Sequence, residues 1–331
     1  MPFRIEYTRG DMVESVHRVS VAVSDADGRL LAVAGEPGQE TWWRSAAKPF
    51  QAMPLVAEGG ADRFGLDERE LALVCASHSS EPIHLAVTDG ILRKIGCSEA
   101  DLACGPHPPL SAAVAEEAMR SGTTITPRWS NCSGKHAGLL AQAIHGGWPK
   151  AGYHEADHPV QRRILKEVAR WSGLDEAAIR RSVDGCNTVC FGLPLRNMAK
   201  AYARFGRSED PAAARLRRAM LKHPELIAGT GRSCTEFMTA FKGALLAKVG
   251  AEGVYSAALP AAGLGIAIKV EDGDMRSAPI ALYRVLDLVL QNIGGDTGPL
   301  GRLGRWKESP ITNTRDLAVG QIRAGGGLRF S

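Results

Sequence analysis

Strand patterns stand at both ends of this 331-residue chain, and a dense run of helical patterns fills the middle. Near the N-terminus Val19 to Val23 alternates, Asp25-Ala26-Asp27-Gly28 reads as a turn, and Leu30 to Val33 returns, which predicts a β-hairpin. Late in the chain Val254 to Leu259 and Gly265 to Val270 read as strands, with Glu271-Asp272-Gly273-Asp274 as a turn. Between them Pro159 to Trp171, Glu176 to Arg181, Pro194 to Phe205 and Ala212 to Leu221 carry apolar residues near a 3.6 spacing, as does Ala113 to Arg120 before them. Strands at both ends with helices between imply an α/β fold in which an antiparallel sheet receives a helical insertion. The spacing predicts one domain over 1–331, with a strand-rich lobe at about 1–110 and 250–331 and a helical lobe at about 111–249. Leu71 to Cys75 is read as a strand within the first lobe, Glu81-Pro82 as the start of a helix toward Ile95, and Ile280 to Ile293 as the last helix. The Gly-rich tail reads as an arm or a disordered end.

Composition narrows the function classes. Hydrophobic residues make up 44% and charged residues 23%, which excludes a disordered chain. With 40 basic and 36 acidic residues the formal charge is +4, and no block of like charges appears, so nucleic acid is not expected as a partner. No stretch approaches 18 consecutive apolar residues, so no membrane span is expected. Met1-Pro2-Phe3-Arg4-Ile5-Glu6 lacks the apolar core of an export signal, which points to the cytoplasm. The seven cysteines are then expected as thiols.

Three constellations carry chemistry. In Ser45-Ala46-Ala47-Lys48 a helix would bring the Lys48 amine to the Ser45 hydroxyl, three residues apart. A serine hydroxyl is a weak nucleophile until a base takes its proton, and an amine does this only when neutral. Against an ordinary lysine value near 10.4, each unit of depression costs about 1.4 kcal/mol, supplied by burial or a nearby cation such as Arg44. An isolated match of this kind reads first as a helix-capping serine. Cys75-Ala76-Ser77-His78-Ser79 places polar groups where an apolar segment ends, and Lys269 sits inside an apolar strand, either as a solvated edge charge or as a desolvated base for Ser77. In the third, Asn131-Cys132-Ser133-Gly134-Lys135-His136-Ala137-Gly138 with Asp184-Gly185-Cys186, two cysteines are either zinc ligands, completed by His136 or Cys190, or buried structural thiols. Its Gly-Lys pair is not a phosphate loop, because the leading glycine is missing and His136 replaces the hydroxyl residue.

Together these stretches resemble the thermolabile-type, rhizobial (class 3) L-asparaginase family. Arg44 to Gln51, Cys75 to Ser79, Asn131 to Gly138, Asp184 to Cys186, Pro194-Leu195, His223-Pro224-Glu225, Gly229 to Arg232 and Gly263 to Lys269 carry the likeness in order. The resemblance implies an α/β/α sandwich with a helical region, similar to serine β-lactamases and glutaminases, in a homodimer. It implies two serine–lysine tandems, Ser45 with Lys48 and Ser77 with Lys269. It implies a zinc ion held by Cys132, Lys135 and Cys186, with Arg44, His136 and Asp184 lining the site. The sequence departs from the family at Asn187 to Cys190, where Gly and Pro are usual, and at Ser233 to Glu236, where an aspartate is usual. The implied reaction converts L-asparagine to L-aspartate and ammonia, with Ser45 and Lys48 as the first choice of nucleophile and base. Lysine bases make activity rise through about pH 7 to 9. Two rivals are a β-lactamase- or transpeptidase-like acyl enzyme and a non-catalytic zinc- or metabolite-binding protein. The first lacks an S-D-N element and has only Lys248-Val249-Gly250 in place of K-T-G.

Overall fold

The computed structural model describes residues 2–331 and divides into two compact units. The first comprises residues up to Ala46, Leu193–Arg207 and Thr239–Ser331. Its core is an antiparallel sheet of nine strands. Seven of them run in the order Glu308–Thr312, Ala318–Gly325, Arg4–Arg9, Met12–Ser24, Leu264–Val270, Val254–Leu259 and Leu246–Val249, and the other two, Leu30–Ala34 and Arg329–Phe330, pair off this path. Met12–Ser24 is 13 residues long, so its first half pairs with Arg4–Arg9 and its second half with Leu264–Val270 on one side and Leu30–Ala34 on the other.

Register explains why the sheet can be covered on both faces. Residues directly opposite in an antiparallel pair share a face. Ser20, Ala22 and Ser24 therefore lie beside Lys269, Ala267 and Gly265, and these beside Val254, Ser256 and Ala258. This face is mostly small, and the Leu195–Arg207 helix lies close against it. A Cβ on Gly265 would stand 2.0 Å from the Ala199 carbonyl oxygen, and one on Gly206 would stand 3.0 Å from the Ala258 methyl. The opposite face carries Val21, Val23, Ile266, Ile268, Tyr255 and Leu259, all buried, and the Ser277–Ile293 helix packs on these strands. Trp43 fills the small face beside Tyr202, with its indole N–H donating to Ser256 Oγ at 3.1 Å. The unit is an α/β/α sandwich.

The second unit, Ala47–Gly192 with Ser208–Met238, is helical apart from the antiparallel pair Arg180–Val183 and Val189–Pro194. Lys48–Ala57 packs against Ser133–His145, Pro159–Ser172 and Pro211–Lys222, and Glu68–Val74 lies against Pro82–Lys94, Ser133–His145 and Pro211–Lys222. Glycines four residues apart set one of these approaches. A Cβ on Gly134 would meet the Leu73 carbonyl oxygen at 2.6 Å, and one on Gly138 would meet Val74 at 2.5 Å.

Several expectations change. Leu71 to Val74 is helix, because Asp67 and Glu70 form a reciprocal capping box that starts a turn at Glu68. Its short apolar run suits a strand or a buried helix equally, and the cap decides. Residues 47–110 thus belong to the helical unit, and the strands of the N-terminal part end at Trp42. Glu176 to Arg181 splits into a 3₁₀ turn, Glu176–Ala178, and the strand Arg180–Val183. The Val254–Leu259/Leu264–Val270 hairpin turns at 260–263, and 271–274 instead leads toward the last long helix. The Gly-rich tail supplies Glu308–Thr312, Ala318–Gly325 and Arg329–Phe330, all paired in the sheet. Among the described residues no helix is long and apolar enough to cross a membrane.

Candidate active site

In the helical unit the polar centre forms where three segments meet. Lys48 is the first residue of its helix, with Pro49 behind it, a position where the missing proline N–H costs nothing. The Glu68–Val74 helix ends at Cys75, and 76–81 continues as buried loop. A buried loop must satisfy its backbone. Here Ala76 N–H donates to Leu73 O, Ser77 N–H to Ile227 O at 2.9 Å and His78 N–H to Asn131 O at 3.2 Å. Ser80 takes a left-handed conformation, φ 59°, which few non-glycine residues adopt, and its hydroxyl donates to Trp129 O at 2.7 Å.

Into this loop the Lys48 amine points, donating to the Ala76 carbonyl and, at 2.9 Å, to Ser77 Oγ. Lys48 is 1% exposed and Ser77 4%. Beside them His78 accepts Ser80 N–H on Nδ1 at 3.2 Å, so its Nε2–H faces Ser133 Oγ at 2.9 Å. Burial, with the nearby His84, Lys48 and Arg232 charges, holds His78 well below its ordinary value, so the ring is neutral. The lysine predicted for Ser45 thus lies on Ser77.

Cys132 caps the Ser133–His145 helix and Lys135 lies in its first turn. Lys135, 2% exposed, donates from its amine to Cys186 Sγ at 2.8 Å. Cys132 is held well below the ordinary thiol value by a hydrogen bond from Cys186, with Lys48 and Lys135 adding to the effect. Cys186 is pushed up by the same bond and by burial. Burial opposes the Lys135 charge, but Cys186, Cys132 and Asp184 outweigh it and hold its ammonium well above the usual range. Asp184 turns its own loop, accepting Gly185 N–H at 2.8 Å, and Asn187 beside Cys186 is left-handed at φ 68°. His136 Nδ1 meets the Tyr153 hydroxyl at 2.6 Å, while its Nε2 is buried without a hydrogen-bond partner. Cys190 is buried in the strand Val189–Pro194.

Among the described residues no group of three His, Cys, Asp or Glu could hold a metal ion. The Cys132 and Cys186 sulfurs and the Lys135 amine are nonetheless gathered at one point.

The remaining expected residues belong to the sheet unit. Ser45 is half-buried in the 3₁₀ turn Arg44–Ala47, and Arg44 is left-handed at φ 52°, its guanidinium 4.0 Å from the Glu252 carboxylate. Lys269 donates its amine to the backbone carbonyls of Glu252 at 2.5 Å and Val270 at 2.6 Å. Lys248, fully buried in the edge strand, donates to Val249 O at 3.0 Å. The sequence signal for Lys248 is the same as for Lys269, a lysine inside an apolar strand. Arg232 ends the Gly229-Thr230-Gly231 turn, a position with no chemical signal of its own in the sequence, and its Nη1 donates to Ser79 Oγ at 3.0 Å.

The polar centre thus sets a buried amine against a serine hydroxyl in an α/β chain with an antiparallel sheet. Residues 5–324 match the family model described as L-asparaginase II, and the chain belongs to that family of amide hydrolases. No curated protein matches it. Among solved structures, Mglu in its native form is 17% identical with a TM-score of 0.47, covering 82% of this chain. The chain spans 64% of the length of that Mglu structure. A β-lactamase from Mycobacterium bovis is 13% identical, TM-score 0.44, covering 83% of this chain and 94% of its own.

Proposed function

We propose that this protein hydrolyses the side-chain amide of L-asparagine to L-aspartate and ammonia, with Lys48 as the base that activates Ser77. The carrying observation is the 2.9 Å contact between the two buried groups. In its deprotonated form the Lys48 amine takes the hydroxyl proton as Ser77 Oγ bonds to the carboxamide carbon. The carbon–nitrogen bond then breaks, the nitrogen leaves as ammonia with the proton from Lys48, and a β-aspartyl ester of Ser77 remains. Water attacks the ester, Lys48 takes its proton, and as the ester C–O bond breaks Lys48 gives that proton to Ser77 Oγ, restoring both groups. Ser45 stays in the reading as a second hydroxyl near the start of the Lys48 helix, with Lys269 as the second amine and Arg44 and Asp184 as lining groups.

Cys132, Lys135 and Cys186 are the residues that would hold zinc. When bound, zinc would keep the Lys135 amine neutral and fix the two sulfurs, a substrate-orienting role. The neutral His136 braces this wall through Tyr153. The working protein is read as a cytoplasmic homodimer.

The deciding measurement is ammonia release from L-asparagine by the wild type, Ser77→Ala, Lys48→Met and Ser45→Ala, with zinc content on the same samples. Ser77→Ala and Lys48→Met are expected to lose at least about 10³-fold in kcat. An active Ser77→Ala beside a dead Ser45→Ala would reverse the assignment of nucleophile.

A further inference from the structure

The Ser77 loop is laced to a second loop that ends in a cation with spare donors. Ser77 N–H reaches Ile227 O at 2.9 Å, and Ser79 Oγ donates to Ala228 O at 2.8 Å. Glu81 then accepts Thr230 N–H at 2.7 Å and Thr230 Oγ1–H at 3.1 Å. Gly229, φ 119°, lies so close that a Cβ would stand 2.7 Å from Glu81 Oε1 and 2.9 Å from Ser79 Oγ. These contacts fix the position of Arg232 relative to Ser77. Its guanidinium has five N–H donors, and the one bond it makes to a side chain goes to the neutral Ser79 hydroxyl. It forms no ion pair among the described residues and is partly open to solvent.

Ser79 lies two residues from Ser77, so their Cα atoms are at most about 7 Å apart, and Arg232 is tied to the segment that carries Ser77. In L-asparagine the α-carboxylate and the side-chain amide stand on adjacent carbons, so an anchor on the one keeps the other near the same segment. We propose that Arg232 anchors the α-carboxylate of the substrate, so that the site accepts amides carrying a free carboxylate nearby and discriminates against primary amides that lack one. A guanidinium suits this task because its planar fork can meet both carboxylate oxygens while one N–H remains on Ser79. The inference rests on the reading that Ser77 attacks an amide here.

The test compares L-asparagine with 3-aminopropanamide, the same molecule without its carboxylate, in the wild type, Arg232→Lys and Arg232→Gln. The anchor predicts that Arg232→Gln raises KM for asparagine at least about tenfold, with kcat within about threefold, and shifts KM for 3-aminopropanamide less than about twofold. Arg232→Lys falls between and carries the test if Arg232→Gln does not fold. Equal losses on both amides would make Arg232 only a support for the Ser79 loop, and an unchanged KM for asparagine would overturn the anchor outright. If the wild type cleaves neither amide, the amidohydrolase reading falls, and calorimetric binding of L-aspartate decides the anchor. Binding weakened at least about tenfold in Arg232→Gln supports it. Binding that is unaffected, or missing from the wild type, overturns it.

Discussion

At the scale of single residues, the site depends on where buried polar groups find partners. Tyr153 is a clear case. Its hydroxyl accepts Ala103 N–H at 2.8 Å and meets His136 Nδ1 at 2.6 Å. Tyr153→Phe would strand both groups in the interior, at a cost of about 1–3 kcal/mol, read as a lower midpoint in urea. Lys135→Met removes the amine donor that zinc binding would require. The expected result is loss of bound zinc from purified protein, while a full complement of zinc in that variant would exclude Lys135 as a ligand. The residues of both tests stand in motifs legible from the sequence, but their partners do not. Lys48 is three residues from Ser45, yet its amine lies on Ser77, 29 positions away. No spacing rule reports a contact across two helices and a loop.

At the scale of elements, small residues decide how closely helices and strands approach. Gly265 faces the backbone of the Leu195–Arg207 helix, so Gly265→Val has no space to relax into. It should cost well over about 3 kcal/mol and leave the protein insoluble. Gly301→Ala, with nothing within 4 Å of the new methyl, serves as the matched control. Asp67→Ala opens the capping box of the Glu68–Val74 helix, at about 1 kcal/mol by thermal unfolding. Element type was legible wherever periodicity ran long, as in Pro159–Ser172 and Pro211–Lys222. It failed at Leu71 to Cys75, where five apolar residues suit either a strand or a buried turn of helix. The Gly-rich tail failed for a different reason. Its strands gain stability from pairing with Arg4–Arg9 and Leu30–Ala34, which lie some 300 residues earlier.

For the whole molecule, acid is the informative stress. Burial holds His78 below its ordinary 6.5, so the unfolded chain binds a proton that the folded chain refuses. Its contribution to stability is therefore complete above about pH 6.5 and lost as pH falls below that value, by up to about 1.4 kcal/mol per pH unit. Carboxylates follow at lower pH. Glu68, lowered to about 2 by Lys222 and Arg218, and Asp210, lowered by Arg170 and two helix N–H groups against its burial, keep their contribution above about pH 4 and lose it below. The urea midpoint should thus fall in two stages, first between pH 7 and 5 and again below pH 4. A midpoint flat from pH 7 to 5 would show that His78 is protonated in the folded state. The sequence by itself determined the α/β class, the antiparallel sheet built from both ends of the chain, the motifs of the site and the family, because alternation, periodicity and local residue order are properties of short segments. Only the tertiary structure decided which serine receives Lys48, that Lys135 reaches Cys186, and that Arg232 stands beside the Ser77 loop. Those contacts arise from the packing of segments far apart in the chain, and packing leaves no local signature.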